Sequence, residues 1–463
     1  MDSKKSSLLR SLIVFVLAMS AVFQTGLLWL DENSGHNFFY YLFNSSLSTN
    51  DSSLPREAIR PENITVGTGD DVFNVVYNID TLINAGTPFI VSAVDSSEPQ
   101  FQEDFYWENC LREKCAIYEF ATEIPFREYF AGIGAGTRNI PNFMESFNFI
   151  AILPLENGGN GPAVYFINTN DSSLGKAAVY TSQASSDMSN TIDSFLSSRN
   201  IQFISTNQSG FNIFSNNMFV PQLPRDFKYT KISKTPSIDQ ERMSLMDNQY
   251  FESVTEQYFD RYSSKTISSE PSGICTISDT STVVKYYPYG VIEYFNYSAQ
   301  DMADEVQSLS SAYYVCMEFL EKDTAITTPY YLSGTRVTGD GFVFDFDYYV
   351  NNTPVFISGG LIDTAGVEHA IEVVVDSGGV KKYKKYAFNF SLNNSSSGNI
   401  SVDFLEAINS AMAVKGAGEY KIDDIKLGYY VSGSDSECGL SWFVDIEQSR
   451  TVINAETGDM MIR

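Results

Sequence analysis

The sequence is poor in the side chains that most often carry chemistry. Among 463 residues there are two histidines, His36 and His369, five cysteines and three tryptophans. Two histidines so far apart exclude a zinc site built on several imidazoles and leave a Ser-His-Asp triad few ways to form. The cysteines, Cys110, Cys115, Cys275, Cys316 and Cys438, are odd in number, which argues against a complete disulfide framework in an exported chain. Cys110 and Cys115 (CLREKC) are close enough in sequence to pair locally. The alternative is a pair of thiols, favoured because a core of this size needs no staple. Positive charge is scarce too: 30 Lys and Arg face 57 Asp and Glu, for a formal charge of −27. Such a surface repels nucleic acid and anionic headgroups. Neither a P-loop nor a dinucleotide fingerprint occurs, and the nearest Gly-rich stretch, 132–136 (GIGAG), reads as a turn. EF-hand spacing is missing, and no metal or cofactor is expected. Carboxylate pairs such as Asp345/Asp347 and Asp423/Asp424 are abundant. Two carboxylates can serve a glycosidase, but Asp345 and Asp347 lie on one strand face, which reads as solvated. With no nucleophile–base pair to name, the chain reads as a non-enzyme.

Long apolar runs are nearly lacking as well, and the exception organises the chain. Residues 11–30, SLIVFVLAMSAVFQTGLLWL, hold no charge. As a helix they span ~30 Å, the thickness of a bilayer's hydrocarbon core. Lys4, Lys5 and Arg10 precede the run, so residues 1–10 form a cytoplasmic tail and everything beyond residue 30 lies outside the cell. The competing reading is a cleaved signal peptide with Ala18-Met19-Ser20 as the cleavage site, although the apolar run continues well past Ser20. Ala18, Ala21 and Thr25 form a small-residue face suited to close helix packing, with Gln24 beside it. A glutamine in hydrocarbon calls for a partner, unless it sits at the wetted outer interface.

Beyond this run the composition is globular, 43% hydrophobic and 14% aromatic. Residues 31–58 read as a juxtamembrane linker, polar and breaker-rich over 44–55 (NSSLSTNDSSLP). Three α+β units of antiparallel strands with packed helices are expected at 59–220, 221–330 and 331–463. In the first, strands fall at 63–66, 72–77, 116–120, 147–153, 163–168 and 177–181. One or two helical turns fall at 79–85, and a helix at 186–199 with Ser186 or Asp187 as cap. In the second, 238–262 has apolar residues at helical spacing, and 282–297 reads as a hairpin about Pro288-Tyr289-Gly290. Residues 298–320 follow as a helix with a Ser298/Asp301 capping box. In the third, 341–350 pairs with 354–358 across Asn351-Asn352-Thr353, and 370–375 with 381–390. A polar loop at 393–399 precedes a helix at 402–414 ended by Gly416, then strands at 425–431, 442–446 and 451–454. The basic run 381–385, interleaved with Tyr383 and Tyr386, could suit phosphate, but in acidic surroundings it reads as the solvated face of a strand.

These features together resemble the YycH family, membrane-anchored accessory regulators of the WalK (YycG) sensor histidine kinase of low-GC Gram-positive bacteria. One N-terminal anchor with a large outer body is the family's layout. Residues 284–294, VKYYPYGVIEY, are similar to its strand–turn–strand with a Gly before Leu/Ile-Glu-Tyr. Residues 344–355, FDFDYYVNNTPV, are similar to a segment shared with the partner protein YycI. The ending, LGYYVSG…LSWFVDIEQSRTVINAETGDM, resembles the family's terminus and the last strands of PepSY-type modules, though Ser441-Trp442 stands where those endings have Pro-Trp. The likeness covers about 243–463. It implies a regulator at the cell membrane without catalysis or cofactor of its own. Its implied partners are a sensor histidine kinase and a YycI-like single-pass protein, and its anchor would lie against the kinase's membrane helices. The alternatives are an extracytoplasmic ligand-binding or sensor protein with a pocket between domains and, further off, a cell-wall hydrolase.

Overall fold

Alternating patterns dominate the chain, and they condense into sheets. The computed structural model describes residues 58–462 apart from 70–71, 156–161, 171–174, 199–200, 209, 211–212, 225, 240, 243–246, 260–262, 298–307, 324, 340, 358–368, 417, 419, 433–434 and 448. The apolar run 11–30, the charges at Lys4, Lys5 and Arg10, and the linker to residue 57 lie outside the described residues. Among the described residues no helix is long and apolar enough to cross a membrane.

The fold is α+β. Its first half supplies β1 (Asn63–Gly67), β2 (Phe73–Val76), α1 (Asp80–Ser96), β3 (Gln100–Gln102), α2 (Glu108–Leu111), β4 (Cys115–Pro125) and α3 (Phe126–Ile133). Then come β5 (Ser146–Leu153), β6 (Ala163–Asn168), β7 (Lys176–Thr181), α4 (Ser186–Ser197), β8 (Gln202–Ser205) and β9 (Phe219–Gln222). The strands form a nine-stranded sheet in the order β3-β7-β6-β5-β4-β1-β2-β8-β9, antiparallel throughout. Both faces are covered. Helices α1, α3 and α4 pack with Ile64, Val164 and Phe166 into the main core, where Phe126, Phe147 and Phe166 meet with ring centroids 5.0–5.3 Å apart. Such tilted and edge-on contacts add specificity to apolar burial. On the other side Phe105, Trp107 and Leu111 cover Ile117, Tyr165 and Ile167.

Helix α1 is longer than the one or two turns expected at 79–85. Gly86 and Pro88 interrupt its helical signal, yet the helix runs through both. A Cβ on Gly86 would lie 2.0 Å from the Tyr118 hydroxyl, which donates to Leu82 O at 2.9 Å. The glycine thus costs helix propensity but lets α1 settle onto β4. Helix α4 matches its expected stripe, with Met188, Ile192 and Leu196 buried, and its cap is Ser185 rather than Ser186 or Asp187.

The second half supplies β10 (Phe227–Pro236), α5 (Asn248–Thr255), β11 (Thr266–Ser269), β12 (Cys275–Ser278), β13 (Thr282–Tyr287), β14 (Val291–Asn296) and α6 (Leu309–Glu321). Next are β15 (Tyr330–Thr338), β16 (Gly341–Val350), β17 (Thr353–Ile357), β18 (Ile371–Asp376), β19 (Gly379–Tyr386) and β20 (Phe388–Ile400). Last come α7 (Phe404–Lys415), β21 (Ile422–Val431), β22 (Glu437–Cys438), β23 (Leu440–Ile446), β24 (Ser449–Asn454) and β25 (Met460–Ile462). A thirteen-stranded sheet runs β11-β12-β13-β14-β19-β18-β16-β17-β21-β23-β24-β25, with β15 also on β16. Its β17–β21 pairing is parallel. A smaller sheet orders β20-β10-β22. The described residues form one compact unit, and the large sheet takes strands from both the 221–330 and the 331–463 stretches.

The expected hairpins at 282–297, 341–358 and 370–390 are present in their described parts, but the third ends at Tyr386, and residues 388–390 begin β20 against β10. Asn351 and Asn352 hold φ of 49° and 60°, the left-handed pair that a two-residue hairpin turn requires and that asparagine tolerates. Three expectations change. The polar stretch 393–399 is a loop only in part: β20 pairs with β10 up to Leu392 and again over Ser397–Ile400, and residues 393–396 bulge out between them. The sequence of 397–399 lacks apolar alternation, so only the distant partner makes it a strand. The helix expected across 238–262 is broken in its described part: residues 241–242 are helical, and α5 with a 3-10 turn at Glu256–Tyr258 follows. Helix α6 starts at Leu309 on a Ser308 cap, and the Ser298/Asp301 box lies outside the described residues. Helix α7 has a complete capping box from Asp403 and Glu406 and stops at Gly416, φ 87°.

Candidate functional site

Among the described residues three clusters of charged groups are at least partly buried, and local sequence points to the environment of none of them. Asp345 and Asp347 share a face of β16, as strand geometry requires, but that face is not solvated: they are 2% and 6% exposed. The Arg336 guanidinium ion-pairs with Asp345 and donates to Glu372 Oε2 at 2.7 Å. His369 Nδ1 lies 2.8 Å from Asp347 Oδ2 and 3.2 Å from Ser333 Oγ. Burial pushes the Asp345 carboxyl up to about 6 against the pull of His369 and Arg336. Burial acts the same way on Asp347, but the adjacent His369 overcomes it and holds that carboxyl below its usual range. His369 is raised to about 9: burial opposes its charge, and Asp347 more than compensates. Serine, histidine and aspartate do meet here, yet Ser333 and Asp347 approach the same ring nitrogen. A hydrolytic triad needs the aspartate on one nitrogen and the nucleophile on the other.

The basic run on β19 is likewise drawn inward. Tyr383, Lys385 and Tyr386 are buried, so the run is not simply a solvated face. Lys385 Nζ donates to Asp323 Oδ2 at 2.7 Å, with both side chains 1% exposed. Tyr383 and Tyr258 donate to the same oxygen at 2.6 and 2.8 Å. Burial raises the Asp323 carboxyl, and Lys385 with the two hydroxyls overcomes it, leaving it below its ordinary range. Asp323 Oδ1 accepts in turn from Gln257 Nε2 and the Ala325 N–H, so both carboxylate oxygens are engaged, which marks the cluster as a tie between the end of α6 and the sheet.

The third cluster borders open space. A cleft of about 780 Å³ lies where the three sheets meet, lined from β1, β2, β4, β8, β9, β10 and β21 and the Asn351–Asn352 turn. That is within the range of about 300–1,000 Å³ typical of ligand clefts. Phe203, Phe219, Phe227, Tyr77 and Tyr349 supply apolar wall, while Asn63, Glu119, Asp424 and Lys426 supply polar groups. Lys426 Nζ reaches Glu62 Oε1 at 2.8 Å and Asp424 Oδ2 at 3.0 Å. Burial lowers the Lys426 ammonium, but Asp424 and Glu62 prevail and hold it well above its ordinary value. Among the described residues the Glu119 side chain accepts only from the Asn63 amide, at 3.0 Å; burial and the neighbouring Glu62 push its carboxyl up to about 7.

Of the residues singled out in the sequence, Ala18, Ala21, Gln24, Thr25, Lys4, Lys5 and Arg10 lie outside the described residues. Cys110 and Cys115 are buried, free thiols. Burial pushes Cys115 up to about 12 and Cys110 well above its usual value. Glu62, Glu119 and Lys426 are far apart in sequence and carry no motif; nothing local marks them as neighbours.

No family model matches the chain, and no curated protein matches it. Among solved structures, the crystal structure of YycH from Bacillus subtilis is similar in outline. It shares 14% identity at a TM-score of 0.49, over 86% of this chain and 96% of that one.

Proposed function

We propose that this chain is a non-catalytic, membrane-anchored regulator of a sensor histidine kinase of the WalK (YycG) type. Residues 11–30 anchor it, the body stands outside the cell, and it works by touching other proteins, a YycI-like single-pass protein among them. One observation carries the reading: the three segments on which the resemblance to YycH and YycI rests are all strands of one sheet. VKYYPYGVIEY is β13–β14, FDFDYYVNNTPV lies in β16–β17, and the ending is β21, β23 and β24. The likeness therefore concerns a shared framework rather than scattered matches. The small-residue face of Ala18, Ala21 and Thr25 with Gln24 suits contact between membrane helices. Replacing residues 11–30 by an unrelated membrane helix, with the body retained, changes output from the kinase's reporter promoter if this reading holds. Unchanged output at equal protein level would remove the anchor from the mechanism.

A further inference from the structure

The cleft at the junction of the three sheets holds a carboxylate that no cation pairs among the described residues. Glu119 and Asp424 line the cleft, Glu62 lies behind them, and Lys426 supplies an ammonium on the same side. That ammonium is already engaged by Glu62 and Asp424 at 2.8 and 3.0 Å. Glu119 has no cation within ion-pair distance among the described residues, only the Asn63 amide. Asn63 Oδ1, beside it, is buried with no hydrogen-bond partner. Such acceptors are costly unless something donates to them. The opposite walls are aromatic, and a ring face attracts a cation as well as an alkyl stem. The remaining lysine lining the cleft, Lys228, is exposed on β10.

We propose that this cleft binds a basic side chain, an ammonium or guanidinium on an apolar stem, presented by an extended segment of a protein partner, with Glu119 as the receiving carboxylate. The space exceeds what one such side chain fills, leaving room for the flanking backbone. The amide of Asn351 lines the same cleft and can pair with that backbone. The inference rests on the proposed role only in taking the ligand to be part of a protein. Its test involves no kinase, so the two readings fail separately.

The test is calorimetry on the full chain in a mild non-ionic detergent. The probes are capped pentapeptides, alanine throughout except for a central lysine, arginine or norleucine, and free cadaverine. The basic peptides bind saturably in the millimolar range or tighter, and the norleucine peptide at least about tenfold more weakly. Glu119→Gln, which keeps size and shape, brings the lysine peptide down to the norleucine level. A second arm needs no variant: between about pH 8 and about pH 5.5 Glu119 takes up a proton, so wild-type binding weakens by about tenfold or more. The groups facing Glu119 are Glu62, Asp424, Lys426 and Tyr77; Lys426 and Tyr77 are both held above their ordinary values and stay protonated there. No saturable binding, or binding indifferent to both Glu119→Gln and pH, overturns the proposal. Cadaverine binding as tightly as the lysine peptide overturns its peptide half.

Discussion

The side-chain amide of Asn352 is bound to the edge of β2. Its Oδ1 accepts from the Tyr77 backbone N–H at 2.6 Å, and its Nδ2 donates to Val75 O at 2.6 Å. The side chain thus imitates one peptide group of an adjoining strand, and it clasps the nine-stranded sheet to the turn between β16 and β17. Asn352→Gly keeps the turn's left-handed backbone and loses only the clasp, so about 1–3 kcal/mol of stability is lost. Asn352→Ala loses the same and adds about 1 kcal/mol of left-handed strain. Urea unfolding midpoints rank wild type above Gly and Gly above Ala; equal midpoints for wild type and Gly contradict the clasp.

Lys385 and Asp323 are both 1% exposed at 2.7 Å. Removing one partner of such a pair leaves an uncompensated buried charge. Lys385→Met therefore costs about 3–5 kcal/mol, whereas Lys385→Met with Asp323→Leu recovers part of the loss. The recovery is partial because Tyr258 and Tyr383 lose their common acceptor. Additive losses in the double-mutant cycle count against coupling.

His369, held at about 9 against 6.5, gives stability a definite slope with pH. The folded form holds the proton more tightly than the unfolded form. The contribution is whole below about 6.5 and is lost as pH rises through about 9. It amounts to about 3 kcal/mol. His369→Gln flattens that limb of a thermal-melt series. Asp345, at about 6, adds a second fall between about 4 and 6, and Asp345→Asn removes it. A wild-type melting temperature that rises from pH 6.5 to 9 is incompatible with this cluster.

Gly86 and Tyr118 fit one another. Gly86→Ala drives a methyl against the Tyr118 hydroxyl and costs about 1–3 kcal/mol in spite of its better helix propensity. Tyr118→Phe removes the obstructing atom, so the double variant is more stable than the sum of the two losses predicts. Contacts of 3.0–3.1 Å to Ile152 Cδ1 and Tyr118 Cζ remain and keep the relief incomplete.

All five cysteines are buried free thiols. A thiol-specific chromogenic reagent leaves the native chain unlabelled for as long as it stays folded and counts five groups in denaturant. A count of three signals one disulfide, with Cys110 and Cys115 the pair to examine first.

Local sequence determined a good deal. The 3.6-residue stripe gave α4 its buried Met188, Ile192 and Leu196, and Asp403, Glu406 and Gly416 set both ends of α7. The aromatic, β-branched runs on either side of short turns specified three hairpins. These are short-range effects, settled within one turn of helix or one pair of strands. What sequence left open was decided by partners hundreds of residues away. Period-two alternation placed Asp345 and Asp347 on one face, but whether water or Arg336 and His369 met that face depended on packing. Residues 397–399 became strand only because β10 offered its edge. The cleft exists because β4 with Glu119 and β21 with Lys426, from sheets formed by opposite halves of the chain, line the same space. Burial and charge pairing are sums over neighbours in space, and no window along the chain contains them.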